Sequence, residues 1–178
     1  MKENKQEYGL GTVEVITKTA VYNVPVNIIT DEISTVADLM SLGAYSDNSA
    51  PIYGYYIITN DISSQGYTRS TTASWAFENC FQGILDGKRH KVSLNFSTTR
   101  NGLFGVLKNS TIKNLTIEAT DYDGSGCLLA YYINKCVLQN VNFVIPNEIT
   151  EVSGSCDYVI SNGGIMRTVF NSVKFESN

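Results

Sequence analysis

Three short stretches of this chain, TIKNLTI (111–117), VLQNVNF (137–143) and VFNSVKF (169–175), share the pattern x-Φ-x-[N/S]-Φ-x-Φ, where Φ is apolar. The apolar columns are Ile112/Leu138/Phe170, Leu115/Val141/Val173 and Ile117/Phe143/Phe175, and the polar column is Asn114/Asn140/Ser172. VSLNF (92–96), with Val92, Leu94 and Phe96 inward, reads as a fainter earlier copy. A half-buried strand alternates apolar and polar residues, but here the alternation breaks at the Asn or Ser and resumes in shifted phase. Neither one straight strand nor a helix has that rhythm.

Copies 26 and 32 residues apart, with fixed cores and unequal spacers, fit a coil of stacked rungs. In a parallel β-helix each turn contributes two or three short strands, and equivalent strands stack about 4.8 Å apart in parallel sheets. Like side chains then stack on like, which accounts for the apolar columns. The Asn/Ser column marks a corner. Asn tolerates left-handed backbone there, and its amide can hydrogen-bond the same residue one turn away; Asn140 is further expected to turn its side chain into the coil and bond the backbone of the neighbouring rung. TDYDGSG (120–126) and PNEITEVSGSCD (146–157) carry the variation in length. A β-sandwich with coincidentally similar strands is the competing architecture, and it has no reason to repeat an interrupted pattern.

The composition agrees with an all-β chain: 17% of the 178 residues are charged, three are Pro, and Tyr, Thr, Ser, Asn, Val and Ile abound. Thirteen scattered Lys and Arg and a net charge of −4 argue against nucleic acid as a partner, because phosphates call for a clustered basic face. No run of about 18 apolar residues occurs, so no membrane insertion is expected. MKENKQEYGLG has no apolar secretion signal, which leaves a signal already removed or a piece of a longer protein. Cys80, Cys127, Cys136 and Cys156 lack metal-ligand spacing. Buried free thiols are expected, with at least one disulfide as the alternative.

A coil has open ends that must be covered. STVADLMSLGAY (34–45) suits a capping helix at the N-terminal end: Ser34 or Thr35 to start it, Val36, Leu39, Met40 and Leu42 on one face, and Gly43 to end it. No equivalent follows VKFESN, which leaves a truncated chain or an end covered by another chain in end-to-end contact. Ahead of the helix, GTVEVITKTAVYNVPVNIIT (11–30) alternates as two short strands, with a turn at Lys18-Thr19.

YYIITNDI (55–62), FQGILDGKRHKVSLNF (81–96) and GLFGVLKNSTIKNLTI (102–117) together resemble the start of right-handed, pectate-lyase-like β-helices in secreted bacterial surface proteins. The resemblance covers roughly residues 33–145. It implies an all-β, right-handed parallel β-helix over residues 31–178 with an N-terminal capping helix. In it Gly83 and Gly87 supply turns and Asp86 caps one. Residues 1–30 resemble the closing strands of a bacterial immunoglobulin-like domain, read as a short hairpin or strand segment. Relatives of this kind include adhesins, phage spikes and polysaccharide-cleaving enzymes, so the resemblance speaks to fold more than to activity.

Catalytic material is sparse. His90 is the only histidine, and GKRHKV reads as a turn beside a rung. DYDGSG (121–126) opens like a calcium loop but lacks the remaining ligands. Asp121, Asp123 and Arg100 are the conceivable members of a lyase site. The outward rung positions Lys113, Thr116, Gln139, Asn142, Asn171 and Lys174 include no acid, whereas glycosidases need two facing carboxylates. Aromatic residues concentrate at Tyr45, Tyr53, Tyr55, Tyr56, Tyr67 and Trp75, where strand packing competes with a sugar-stacking platform. Of these, Tyr53, Tyr55, Tyr67 and Trp75 are the candidate ligand-binding residues. The expectation is a non-catalytic extracellular or cell-surface module, a stalk, adhesin or glycan binder, with no metal or cofactor and a glycan or host-surface ligand as partner. A fragment of a polysaccharide lyase or glycoside hydrolase is the alternative.

Overall fold

The computed structural model describes residues 11–17, 20–26, 28–43, 51–64, 80–95, 102–122, 127–146, 160–161 and 163–177. Strands β1 (Gly11–Ile16) and β2 (Val21–Val26) pair antiparallel in a sheet of their own, from Gly11 opposite Val26 to Ile16 opposite Val21. The Thr17 amide donates to Ala20 O at 2.8 Å, closing the hairpin that the alternation predicts.

The remaining strands wind into a coil. They are β3 (Asp31–Ile33), β4 (Tyr55–Ile58), β5 (Ile62–Ser64), β6 (Ile84–Asp86), β7 (Lys91–Asn95), β8 (Phe104–Lys108), β9 (Thr111–Asp121), β10 (Ala130–Asn134), β11 (Val137–Ile145), β12 (Gly164–Met166), β13 (Val169–Asn171) and β14 (Lys174–Ser177). Every pairing among them is parallel. One face is β8–β10–β12. A second runs β3–β4–β6 into the first residues of β9 and β11 and on to β13. A third joins β5 and β7 to the later residues of β9 and β11 and then to β14. The chain is a parallel β-solenoid of about three turns.

The repeat sets the register. Ile112 lies opposite Leu138 and Leu138 opposite Phe170; Leu115 lies opposite Val141; Ile117 lies opposite Phe143 and Phe143 opposite Phe175. Val92 and Leu94 are buried and pair with Ile117 and Ala119, so VSLNF continues the third face, while Leu85 of β6 continues the Ile112 column. Phe96 lies outside the described residues.

The repeat is longer than seven residues. Leu107, Ile133 and Ile165 form a further column. Three positions on from it, the Ser110 hydroxyl, Cys136 thiol and Thr168 hydroxyl each donate to the carbonyl two residues back, at 3.2, 3.3 and 3.0 Å. The residues just before them, Asn109, Lys135 and Arg167, have φ of 51°, 54° and 49°. At these three corners a donor side chain therefore stabilises the left-handed residue before it. Cys136, like Cys80, is a buried free thiol, and Cys127 is buried as well; Cys156 lies outside the described residues.

A helix, α1 (Val36–Gly43), follows β3 and packs against β5 and β8. Thr35 Oγ1 accepts the Asp38 amide at 3.1 Å, and Asp38 Oδ2 accepts the Thr35 amide at 2.9 Å. This reciprocal pair selects Thr35 over Ser34 as the cap. Leu39 and Leu42 join the coil's core, with Val36 and Met40 partly buried against it. At the other end, Phe170 and Phe175 on the last rung are 44% and 41% exposed, whereas Leu138 and Phe143 one rung below are fully buried.

Candidate binding groove on the asparagine corner

The second corner is built by Asn114, Asn140 and Ser172, at φ of 52°, 52° and 57°. Here β9 and β11 leave the second face and enter the third. Asn140 is exposed, and its Nδ2 donates to Asn114 Oδ1 at 3.1 Å. The bond to the same residue one turn away is the one expected of the corner asparagines; the expectation of an inward Asn140 side chain on neighbouring backbone is corrected. Asn114 already offers a side-chain acceptor at rung spacing, so the amides pair with each other outside the coil. Asn114 Nδ2 donates in turn to Asp86 Oδ1 at 3.0 Å.

Asp86 closes this ladder and is almost fully buried, at 3% exposed. Tyr55 Oη donates to its Oδ2 at 2.9 Å, and the Lys88 amide donates to Oδ1 at 3.0 Å, capping the turn as the resemblance implies. Lys88 and Lys113 each bring Nζ to 3.4 Å. Burial works to raise the pKa of Asp86; hydrogen bonds from Asn114, Lys88 and Tyr55 and the charge of Lys113 overcome it and bring the carboxyl down to about 2. The proximity of Asp86 raises the pKa of Lys88.

Gly87 opens the expected turn, its carbonyl accepting the His90 amide at 2.7 Å, and the left-handed residues within that turn are Lys88 and Arg89, at φ of 50° and 70°. Gly87 has a second role: a Cβ on it would clash with Asn114 O and stand 2.8 Å from Leu115 Cα, so it allows close approach of two rungs. Gly83 allows the same against Gly54 O.

Acids are present on the outer faces, contrary to the sequence reading. Asp86 occupies the rung position of Lys113, and Glu118 and Glu176 lie on the third face beyond the seven-residue motif. Each has partners. Glu118 Oε2 accepts from Ser93 Oγ at 2.5 Å and pairs with Lys91 Nζ at 2.9 Å; Glu176 Oε2 accepts from Asn142 Nδ2 at 2.9 Å. Asp121 Oδ2 faces Asn95 Nδ2 at 3.4 Å. His90 sits in its turn with Nδ1 3.2 Å from Asp61 Oδ1. The Lys91 amide, followed by His90, holds the Asp61 carboxyl below its usual range.

Two clefts lie along this corner. One, of about 290 Å³, is lined by Arg89, Asn114, Leu115, Thr116 and Asn140. The other, of about 270 Å³, is lined by Asn140, Val141, Asn142, Ser172, Lys174 and Glu176. They meet at Asn140 and follow one another across successive rungs, furnished with amides and hydroxyls, with Arg89 in the first and Lys174 in the second.

Of the candidate aromatic residues, Tyr53 is 42% exposed and Tyr55 is 3% exposed. The Tyr55 ring lies under the ammonium groups of Lys113 and Lys88, at 5.3 and 6.0 Å. Tyr67, Trp75, Tyr45, Asp123 and Arg100 lie outside the described residues. No group of three or more potential metal ligands occurs among the described residues, and no described helix is long and apolar enough to cross a membrane. Lys174 is one of the outward rung positions read from the sequence and Arg89 belongs to the basic stretch GKRHKV, but neither was read as a ligand contact, although the Asn/Ser column that lines the clefts marked their course. Comparison with protein-family profiles, curated proteins and solved structures gave no match to this chain.

Proposed function

We propose that the chain is a non-catalytic structural or binding module of an extracellular bacterial surface protein: a stalk, adhesin or glycan-binding segment. In this reading the solenoid is right-handed and pectate-lyase-like, α1 is its N-terminal cap, and the hairpin is a remnant of an immunoglobulin-like domain. The exposed last described rung makes end-to-end contacts, and Tyr53, Tyr67 and Trp75 supply stacking area.

The observation that supports this reading is the engagement of the outer-face acids. Asp86 accepts three hydrogen bonds and has a pKa brought down to about 2, which suits neither a general acid nor a general base near neutral pH. Glu118 is ion-paired and Glu176 is held by an amide. Glycoside cleavage needs two carboxyls free to exchange roles with the substrate. A rigid coil with a groove of amides and hydroxyls suits retention of a ligand rather than its turnover.

The test is to incubate the purified chain with neutral and acidic polysaccharides, assaying reducing ends and unsaturated uronates, while a glycan array scores binding. Binding without turnover is the expected result. Turnover that disappears in Asp121→Asn or Arg100→Gln would replace this reading with the lyase or hydrolase alternative.

A further inference from the structure

We infer that the corner groove binds an anion-bearing saccharide laid along the coil axis, with Arg89 and Lys174 as its anion contacts. The inference rests on the glycan-binding reading above and specifies the class of glycan.

The distribution of charge partners carries it. On the outer faces Lys88 and Lys113 pair with Asp86, and Lys91 pairs with Glu118. Among the described residues, neither Arg89 nor Lys174 has an ion pair, and these are the two cations that line the clefts. Lys108, Lys135 and Arg167 also lack an ion pair among the described residues, but they line neither cleft, so Arg89 and Lys174 are the unpaired cations at the clefts. A guanidinium binds a planar carboxylate or a sulfate through two parallel N–H donors, and an ammonium serves as a point charge.

The spacing suits a linear chain. Arg89 is bonded by its amide to Asn114 O, Asn140 stacks on Asn114, and Lys174 lies opposite Asn142. Three strand steps therefore separate the cations, about 14 Å at the usual spacing. Between them Asn114, Thr116, Asn140 and Ser172 provide the mixed donors and acceptors that sugar hydroxyls require. Glu176 lines the second cleft and opposes an anion there. Removing its charge should therefore tighten binding.

Three oligosaccharides of equal length test the inference by titration calorimetry on the full chain: a neutral N-acetylglucosamine oligomer, a carboxylate-bearing hyaluronan fragment and a sulfate-bearing chondroitin fragment. At least one anionic oligomer should bind tenfold or more tightly than the neutral one, and the two anionic arms separate carboxylate from sulfate. Arg89→Gln combined with Lys174→Gln should abolish that preference, Glu176→Gln should strengthen it several-fold, and Lys135→Gln at the other corner should leave it within twofold. Lys174→Gln alone carries the test should the double variant fail to fold. Equal binding of neutral and anionic oligomers, or a preference that survives the substitutions, overturns the inference and leaves the glycan-binding reading intact. Absence of binding to all three overturns both.

Discussion

Asn140 donates its side-chain amide to Asn114 one rung away, at 3.1 Å, and both residues hold a left-handed backbone with φ of 52°. Each asparagine thus answers two demands, a backbone conformation costly for side chains with a Cβ and a hydrogen-bond partner across the rung gap.

The two demands separate by mutation. Asn140→Gly keeps the conformation and loses the bond, at a cost of about 0.5–1.5 kcal/mol. Asn140→Ala loses both and should cost about 1 kcal/mol more, because Ala strains in this region. Denaturant titration of the pair measures the difference. Equal stability of the two variants would mean the left-handed backbone is not retained in solution.

Asp86 sets an acid-stability window. Its carboxyl is near 2 when folded, below the ordinary value of 3.8. A depressed folded pKa contributes stability that is fully present above the unfolded value and is lost as pH falls through the folded one. The chain should therefore lose stability progressively between about pH 4 and pH 2, beyond any loss that Asp86→Asn shows over the same interval. At neutral pH, Asp86→Asn should cost roughly 3 kcal/mol, because it leaves Lys113 and Lys88 without their counter-charge. Melting curves of both proteins across that pH range make the comparison.

The two stacked phenylalanines, Phe143 and Phe175, differ in environment: their rings are 5.5 Å apart, but only Phe143 is fully buried. Phe143→Ala should cost about 3–5 kcal/mol through cavity formation. Phe175→Ala should cost less than half as much, because much of its ring already meets water. Parity between them in chemical denaturation would show that the last rung is covered in solution.

Gly87→Ala probes the approach of neighbouring rungs. The added methyl meets Asn114 O and the Leu115 backbone, neither of which can swing away, so a loss of about 1–3 kcal/mol is expected. A neutral substitution, read as an unchanged thermal midpoint, would require the rungs to be further apart than described.

The apolar columns were legible in the sequence because each rung writes its inward residues in the same order, and the slip at Asn114 and Asn140 marked a corner. The Asp86 node was not legible. Tyr55, Asp86, Lys113 and Asn114 come from three different rungs, and only the register of β4, β6 and β9 brings them together. Ser110, Cys136 and Thr168 passed unnoticed because three dissimilar residue types do the same work: each donates a proton to a carbonyl two residues back. The bond between the corner asparagines was legible from their shared column, but the outward direction of Asn140 was not, because propensity identifies a left-handed residue and not the side on which its amide lies.

From Leu107 to Ile117, from Ile133 to Phe143 and from Ile165 to Phe175 the three turns keep identical residue counts, and all variation between them falls in the connections. Such a chain separates two kinds of inheritance. The wound part is a fixed ruler, lengthened by about 4.8 Å for each unit copied. The connections can be rewritten, extended or exchanged without any inward side chain having to find a new neighbour, so novelty at the surface carries little risk to the scaffold beneath it.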